Sequence, residues 1–142
     1  MPVKAGVVRA GSRNTRRGAA ETFTGVVFQD PVVVTEAPSR MGGSVVTFTP
    51  GARTAWHQHP RGQILYVVEG HGLVQQRGRP VEQIRAGDTI VTLPGEWHWH
   101  GAAPGAFMTH LAIQEVDNDR IDAYWGEHVT DQEYHDVPGR DR

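Results

Sequence analysis

Five of the eight histidines in this 142-residue chain are clustered in the sequence. Four of them form two HxH pairs, at His57–His59 and His98–His100, and the fifth is His110. Neutral imidazole binds borderline divalent metal ions, and it is also the side chain that most readily carries a proton near neutral pH. The clustering therefore indicates metal binding, acid–base chemistry, or both at one site.

The first pair is followed by a residue that could complete a metal site. In a strand, side chains two residues apart point to the same face, so the imidazoles of His57–His59 should point together. Gln63 follows after Pro60-Arg61-Gly62, which is typical of a turn that returns the chain beside itself. Three imidazoles with an amide oxygen would suit zinc, iron, nickel or manganese. The predicted ligands are His57, His59, Gln63 and His98.

The elements that must position these residues are predicted to be strands. From Thr22 onward, short β-rich runs alternate with Gly, Pro and Asp turn signals, at spacings of roughly 8–12 residues. No long helical period lies between them, so we predict an all-β antiparallel sandwich or closed barrel. A capping box at Thr130–Glu133 predicts one short C-terminal helical turn, ending near Asp136.

The predicted strand that begins at Gln63 has apolar side chains on both of its faces. If Gln63 points inward, alternation directs Ile64, Tyr66 and Val68 outward, yet these three are also apolar. A strand that is apolar on both faces is expected to be covered on both. We therefore predict a homodimer or higher homo-oligomer. The same alternation predicts that Glu69, at the end of the strand, shares the inward face.

The composition excludes several classes of protein. The absence of cysteine excludes disulfides, thiolate catalysis and cysteine-type zinc sites, and it fits a reducing compartment. A formal net charge of −2 argues against a nucleic-acid partner. No segment approaches the roughly 20 apolar residues of a membrane span, and the opening MPVKAGVVRAGSR lacks the apolar run of a signal peptide. We expect a soluble, cytoplasmic protein with a small-molecule substrate.

The first 20 residues differ in character from the rest of the chain. They are polar and contain Arg9, Arg13, Arg16 and Arg17. We predict that residues 1–20 form a solvated N-terminal arm or edge segment, since a phosphate-binding arm would be expected to interleave aromatic residues. Residues 21–142 are then expected to form one domain, because the sequence contains no internal repeat.

The spacing of the glycines and histidines resembles a known pair of motifs. Gly51-x5-His57-x-His59-x3-Gln63-x6-Gly70 resembles the first cupin motif at every spacing, with Gln63 in place of the usual Glu. Gly87-x7-Gly95-x2-His98 resembles the second motif, although Pro94 comes one place late and Ala102 replaces the closing Asn. The resemblance implies a single cupin domain, which is a double-stranded β-helix, or jelly-roll barrel, with one divalent metal ion.

Further segments narrow this resemblance. PGARTAWHQHPRGQ, GEWHWHGAAP, MTHLAIQE and EHVTDQEY are similar to the small bacterial cupins that include manganese-dependent hydroxynitrile lyases. This implies reversible cleavage of cyanohydrins to a carbonyl compound and hydrogen cyanide. Mn²⁺ is favoured as the ion, with Fe²⁺, Zn²⁺, Ni²⁺ or Co²⁺ as alternatives. The implied catalytic residues are His110 and His100, and the implied substrate-pocket residues are Ser44, Val46 and Gln114.

Alternatives remain for the histidines and for the reaction. His100 and His110 form an acid–base pair in one interpretation, and a fifth ligand or a hydrogen-bonded core histidine in the other. Gln63 cancels no charge of the ion, which favours Lewis-acid chemistry over oxygen activation. A cupin-type dioxygenase and a non-catalytic small-molecule-binding cupin are the other candidates.

The remaining aromatic and imidazole side chains are assigned to packing or to the surface. Tryptophans interleave with the predicted ligands and should face away from the metal; these are Trp56, Trp97 and Trp99. Three histidines are predicted to lie on the surface, in turns or near the end of the chain; these are His71, His128 and His135.

Overall fold

The structure, a computed structural model, describes residues 3–139, and its regular secondary structure is almost entirely antiparallel strands. The described elements are β1 (Arg16–Arg17), β2 (Phe23–Thr24), β3 (Val27–Val34), β4 (Met41–Phe48), β5 (Arg53–Thr54), β6 (His57–Gln58), β7 (Gln63–Gln76), β8 (Glu82–Arg85), β9 (Thr89–Thr92), β10 (His98–Ala102), β11 (Met108–Glu115), β12 (Tyr124–Trp125) and α1 (Asp131–His135). The predicted all-β barrel with a short C-terminal helical turn is confirmed.

The strands form two sheets that share one long strand. The first sheet contains β1, β3, β4, β11, the first half of β7 and β9. The second contains β2, β5, β6, β10, β12, the second half of β7 and β8. Because β7 passes from one sheet into the other, it holds the two sheets together and encloses the core between them.

Two backbone irregularities let β7 change sheets. The pairing register of β7 with β11 shifts by one residue, since Thr109 lies opposite Glu69 while His110 lies opposite Val67. The extra residue, Val68, is a β-bulge, which bends a strand and reverses the alternation beyond it. The prediction for Glu69 was therefore wrong: the side chain is exposed rather than inward-facing.

Gly70 follows the bulge and is required there. Its φ is +83°, a conformation that side chains disfavour, and a Cβ would lie 2.0 Å from the carbonyl oxygen of Phe107. Glycine thus allows β7 and the start of β11 to approach closely at the corner of the barrel.

The apolar core has two parts. The first fills the barrel and is made by inward-facing side chains of both sheets, including Phe48, Leu65, Val67 and Met108. The second lies on the other face of the second sheet and contains Trp56, Leu73, Val81, Trp99, Val129, Tyr134 and Val137, with Trp97 packed against it. The three tryptophans therefore pack away from the barrel interior, as predicted.

The C-terminal segment covers this second core. Thr130 caps α1 with the predicted capping box, in which its side chain accepts from the Glu133 amide and the Glu133 carboxylate accepts in return. The helix directs Tyr134 onto the second sheet, where its hydroxyl donates to the carbonyl of Ala102. Arg53 reaches the same segment, donating to the carbonyl of Val129 at 2.9 Å.

The N-terminal segment lies at an edge. β1 pairs with β3, so Arg16 and Arg17 extend the first sheet. The predicted boundaries at residues 1 and 142 lie outside the described residues, and the division into an arm and one domain stays a prediction. Within residues 3–139, no helix has the length and apolar character needed to cross a membrane.

Substituting Gly70 tests the close approach at the barrel corner. We expect Gly70→Ala to lower the free energy of unfolding by about 2–5 kcal/mol, because it adds an overpacking cost of about 1–3 kcal/mol to backbone strain of about 1–2 kcal/mol. Gly78→Ala is the matched control, since its φ is +85° but its Cβ would meet nothing within 4 Å. Urea unfolding of both variants measures the difference. Equal losses of stability would show that the contact with Phe107 does not constrain the fold.

Candidate metal centre

The four predicted ligands come together where the two sheets meet. His57 lies on β6 directly opposite His98 on β10, and His59 follows β6. Gln63 begins β7 after a turn in which the Gly62 amide donates to the carbonyl of His59. Gly62 has a φ of +82°, and a Cβ there would lie 2.8 Å from the carbonyl oxygen of Thr92, so this turn requires glycine.

Three of the imidazoles are held in the same way. Nδ1 of His57 lies 2.9 Å from the carbonyl of Ala55. Nδ1 of His59 lies 2.7 Å from the carbonyl of Asp122, and Nδ1 of His98 lies 3.0 Å from that of Glu96. A carbonyl oxygen only accepts, so Nδ1 carries the proton in all three rings and Nε2 presents a lone pair. Metal-binding histidines are typically oriented by such an outer hydrogen bond.

Two contacts show that these residues fit a cation. The Oε1 atom of Gln63 lies 3.3 Å from Nε2 of His98, and both are acceptors once Nδ1 of His98 holds the proton. Nε2 of His59 is buried and has no hydrogen-bond partner among the described residues. Acceptors that converge without a donor are satisfied by a positive ion, so the arrangement suits a divalent metal.

His100 also lies close to this group. The potential ligand atoms of His57, His98 and His100 all fall within 4.8 Å of one another. The ring centroid of His59 lies 5.1 Å from that of His57 and 5.5 Å from that of His98. The distances alone therefore leave His100 as a possible fifth ligand, but its Nδ1 contacts another imidazole instead of a main-chain carbonyl.

That second imidazole belongs to His110. Nε2 of His110 lies 3.0 Å from Nδ1 of His100, so the two rings share one hydrogen bond. The other nitrogens of the pair, Nε2 of His100 and Nδ1 of His110, are buried with no hydrogen-bond partner among residues 3–139. The edge of the Phe48 ring packs against His100, with a centroid distance of 5.8 Å. The pair thus has one uncommitted nitrogen at each end.

Burial keeps the five histidines uncharged. Burial, followed by the nearby His98 and His59, lowers the pKa of His57 well below its ordinary value. Burial lowers the pKa of His98 and that of His110 to about 4 in each case. The pKa of His59 is lowered by burial as well, and that of His100 falls far below its usual value through burial and then through His110. At neutral pH these rings are available as ligands or proton acceptors.

A cavity of about 150 Å³ lies beside the imidazoles. A cavity of about this size can hold one benzene molecule. The pocket residues implied by the resemblance all line it: Ser44 and Val46 from β4, and Gln114 from β11. Its remaining walls are both apolar and polar. The apolar and aromatic side chains are Phe23, Phe48, Ala112, Ala123 and Trp125, and the polar ones are Gln29, Thr54 and Asp122. It is also lined by His57, His59, Gln63, His100 and His110.

Several residues at the site were not predicted from the sequence. Thr54 is buried and its hydroxyl accepts from the main-chain amide of His100 at 3.2 Å. Trp125 stacks on His57, with ring centroids 4.5 Å apart and planes inclined by 25°. Asp122 accepts from His59 through its main chain. Trp125 and Asp122 belong to the segment after β11, where no motif or alternation marks them.

The three remaining histidines lie away from the cavity. His128 and His135 are exposed, as predicted. The prediction that His71 lies in a turn was wrong. It lies within β7 and is half-buried, with Nε2 3.0 Å from Oε1 of Gln83. The long strand continues through Gly70 because of the bulge, so this glycine does not end the strand.

The buried histidines predict how the stability of the metal-free protein depends on pH. Histidine in the unfolded chain has a pKa of about 6.5, whereas the pKa of His98 and that of His110 are lowered to about 4 in the folded protein. Between these values the unfolded chain therefore binds more protons than the folded protein. Stability should therefore be greatest above pH 6.5 and fall towards pH 4, by up to about 1.4 kcal/mol per pH unit for each histidine. Urea unfolding of chelator-treated protein at several pH values measures this slope.

Replacing one of these imidazoles provides the control. His110→Asn removes a single titrating group, so the slope between pH 4.5 and 6 should decrease by about one proton. Unfolding free energies that are flat over this interval in the unsubstituted protein would contradict burial of neutral imidazoles.

Comparison with known proteins agrees with this architecture. Residues 44–111 match the family described as a cupin domain. The chain is 51% identical over 129 residues to an (R)-mandelonitrile lyase of Granulicella tundricola, covering 90% of this chain and 97% of that protein. A crystal structure of a cupin-like protein of Thermotoga maritima is 36% identical with a TM-score of 0.81, covering 96% of this chain and 100% of that one.

A more distant structure shares the fold. A predicted oxalate decarboxylase of Thermotoga maritima is 24% identical with a TM-score of 0.67, covering 75% of this chain and 96% of that one. The motifs, the barrel and the extent of identity lead to the same conclusion. The chain belongs to the cupin family.

Proposed function

We propose that this protein is a metal-dependent hydroxynitrile lyase, which reversibly cleaves a cyanohydrin to a carbonyl compound and hydrogen cyanide. The observation that carries the proposal is the His100–His110 pair, which lies on the wall of the cavity beside the imidazoles proposed to bind the metal. The 51% identity to an (R)-mandelonitrile lyase supports the same reaction class.

The proposed metal ligands are His57, His59, Gln63 and His98, and Mn²⁺ is the favoured ion. When bound, the ion supplies positive charge that favours loss of a proton from a hydroxyl group beside it. We assign His100 to proton transfer because its Nδ1 contacts an imidazole, whereas Nδ1 of each proposed histidine ligand is held by a main-chain carbonyl.

The proposed proton path uses both imidazoles of the pair. His110 accepts the hydroxyl proton of the cyanohydrin as the carbonyl forms and the bond to the nitrile carbon breaks. The electron pair of that bond leaves with cyanide. The charged His110 then gives the proton back to the departing cyanide with the help of His100, whose Nδ1 shares the 3.0 Å hydrogen bond with Nε2 of His110, so both imidazoles end in their starting tautomers. Protons and electrons balance, and the reverse order forms the cyanohydrin.

The cavity fits a small, partly apolar substrate. Its volume of about 150 Å³ matches one aromatic ring, so mandelonitrile is a reasonable first substrate. Val46 and Ala112 provide apolar contacts, while Ser44 and Gln114 provide the polar groups that could orient the substrate. These residues are proposed to determine which cyanohydrin is accepted.

The protein is also proposed to form a homodimer through the outer face of the first sheet. Ile64, Tyr66 and Val91 are 41%, 48% and 54% exposed. Val91, Ile64 and Ile113 lie opposite one another across three strands, and Leu111 lies opposite Tyr66, so they form a continuous apolar patch. A second copy could bury the same patch about a two-fold axis. A cytoplasmic location likewise stays a prediction from the composition.

Activity and metal content together test the assignment. Protein reconstituted with Mn²⁺ should release benzaldehyde from mandelonitrile well above a buffer control. His110→Asn and His100→Gln should retain the metal but lower kcat by about 10²–10⁴-fold, the usual contribution of general acid–base catalysis. His57→Ala, His59→Ala and His98→Ala should instead lose bound manganese, as measured by elemental analysis after gel filtration.

Two outcomes would contradict these roles. Loss of manganese from His100→Gln, with retention in His59→Ala, would exchange their assignments. Oxygen uptake by the loaded protein, without release of benzaldehyde, would replace the lyase with a dioxygenase.

A charged substitution in the outer patch tests the dimer. We expect Tyr66→Glu to shift the protein from dimer to monomer in sedimentation-velocity experiments, because it would bury a charge in each half of the interface. Gln83→Glu is the control, since it places the same charge at an exposed position on the second sheet. A Tyr66→Glu protein that sediments like the parent protein would show that this face does not form the dimer.

A further inference from the structure

A chain of side-chain hydrogen bonds connects the amide ligand to an exposed carboxylate. The Nε2 group of Gln63 donates to Oε1 of Gln114 at 3.2 Å. The Nε2 group of Gln114 donates in turn to Oδ2 of Asp122 at 3.1 Å. The pairing register explains the first contact, since Gln63 and Gln114 lie directly opposite each other on β7 and β11.

The carboxylate fixes which group donates and which accepts along this series of hydrogen bonds. An ionised carboxylate only accepts, so the amide of Gln114 must turn its NH₂ group towards Asp122 and its oxygen towards Gln63. The amide of Gln63 must then turn its own NH₂ group towards Gln114. Its oxygen is left facing Nε2 of His98, at 3.3 Å. A flipped Gln63 amide could donate to His98, but it would place two oxygens face to face at Gln114.

The same residue also fixes a second proposed ligand. The main-chain carbonyl of Asp122 accepts from Nδ1 of His59 at 2.7 Å. The loop before it is held in place, because Oδ1 of Asp117 accepts from the amides of Asp119 and Ile121. The loop therefore presents both the carbonyl and the carboxylate of Asp122 in defined directions.

We propose that Asp122 is a positioning residue that, through Gln114, turns the oxygen of Gln63 towards the metal and selects glutamine over glutamate at this ligand position. A glutamate at position 63 has no proton to donate, so its oxygen would face that of Gln114. Gln114 could reverse only by turning its oxygen towards the Asp122 carboxylate. This inference rests on the proposed metal site, but it does not depend on the reaction.

An asparagine at position 122 should release this constraint. The asparagine amide can donate as well as accept, so it can donate to the oxygen of Gln114. The NH₂ group of Gln114 is then free to donate to a glutamate at position 63. The two substitutions are therefore expected to be coupled, in the range usual for residues in one hydrogen-bond network.

The experiment is a double-mutant cycle on metal affinity. Gln63→Glu, Asp122→Asn and the double variant are depleted of metal, and the Kd for Mn²⁺ is measured by electron paramagnetic resonance without substrate. For each background we compare the Kd for Mn²⁺ with glutamate and with glutamine at position 63. We expect the ratio of the glutamate Kd to the glutamine Kd to be about tenfold lower in the Asp122→Asn background than in the parent. Asp122→Asn alone should weaken binding about threefold, because the Gln63 amide is then free to flip.

A second background separates the hydrogen-bond chain from simple charge repulsion. Gln114→Met removes the connecting amide but keeps both end residues. The coupling between positions 63 and 122 should then fall to within about twofold of none, and Asp122→Asn should no longer weaken binding. Coupling that persists in the Gln114→Met background would show that charge acts directly through space and would overturn the proposal.

The other outcomes are also decisive. If Gln63→Glu and Asp122→Asn have additive effects on Mn²⁺ affinity while Gln114 is present, the proposed direction of the hydrogen bonds is overturned. If Gln63→Glu does not fold, as judged by circular dichroism, the factor by which Asp122→Asn weakens Mn²⁺ binding is still compared with and without Gln114→Met, and an equal factor in the two backgrounds would overturn the proposal. Parent protein that binds no Mn²⁺ would remove the metal site and this inference together, whereas inactivity towards mandelonitrile would leave the inference intact.

Discussion

The organisation of the site depends on keeping five neutral imidazoles buried in one small barrel. A buried polar group without a partner is costly, and a buried positive charge is costlier still. The protein meets this constraint with main-chain carbonyls, which hold Nδ1 of three rings and fix which nitrogen carries the proton. The potential ligand nitrogens of His57, His98 and His100 lie within 4.8 Å of one another, and this arrangement suits a metal ion or a proton in transit.

The fold supplies those carbonyls from three different segments. Two of them come from Ala55 and Glu96, two positions before His57 and His98, so each ring is held by the segment that leads into its own strand. The third comes from Asp122, in the loop that follows β11. This loop continues into β12, where Trp125 pairs with His57 and stacks on its ring. The segment after the barrel strands therefore completes the site as well as covering it.

The sequence predicted the parts of the site that depend on local spacing. HxH pairs, the turn at Gly62 and the position of Gln63 follow from strand alternation and turn chemistry, and the structure brings these residues together. The same alternation failed at Glu69, because a bulge is a property of strand pairing that a single strand does not reveal. His71 was misassigned for a related reason, since glycine in a strand also marks a bend.

The residues that sequence reasoning missed are those whose role depends on tertiary contacts. Asp122 lies in a polar loop in which several acidic residues follow one another, and nothing in their order distinguishes the one that contacts Gln114. Thr54 reaches the site only because β5 pairs with β10. The sequence thus predicts the proposed ligand set, whereas the contacts that orient it emerge only from the packed structure.

The position of Asp122 also bears on the charge of the site. Glutamate at position 63 would place a negative charge directly on the ion, whereas the structure places the carboxylate two hydrogen bonds away, beyond Gln114. The amides of Gln63 and Gln114 pass on the orientation that the carboxylate imposes, but the negative charge stays on Asp122. In the proposed site, an ion held by three imidazoles and an amide would keep its double charge for the cavity, where the proposed reaction would develop negative charge on the oxygen of a cyanohydrin or on the departing cyanide. On this proposal the carboxylate would enforce a neutral ligand, and a neutral ligand favours Lewis-acid chemistry.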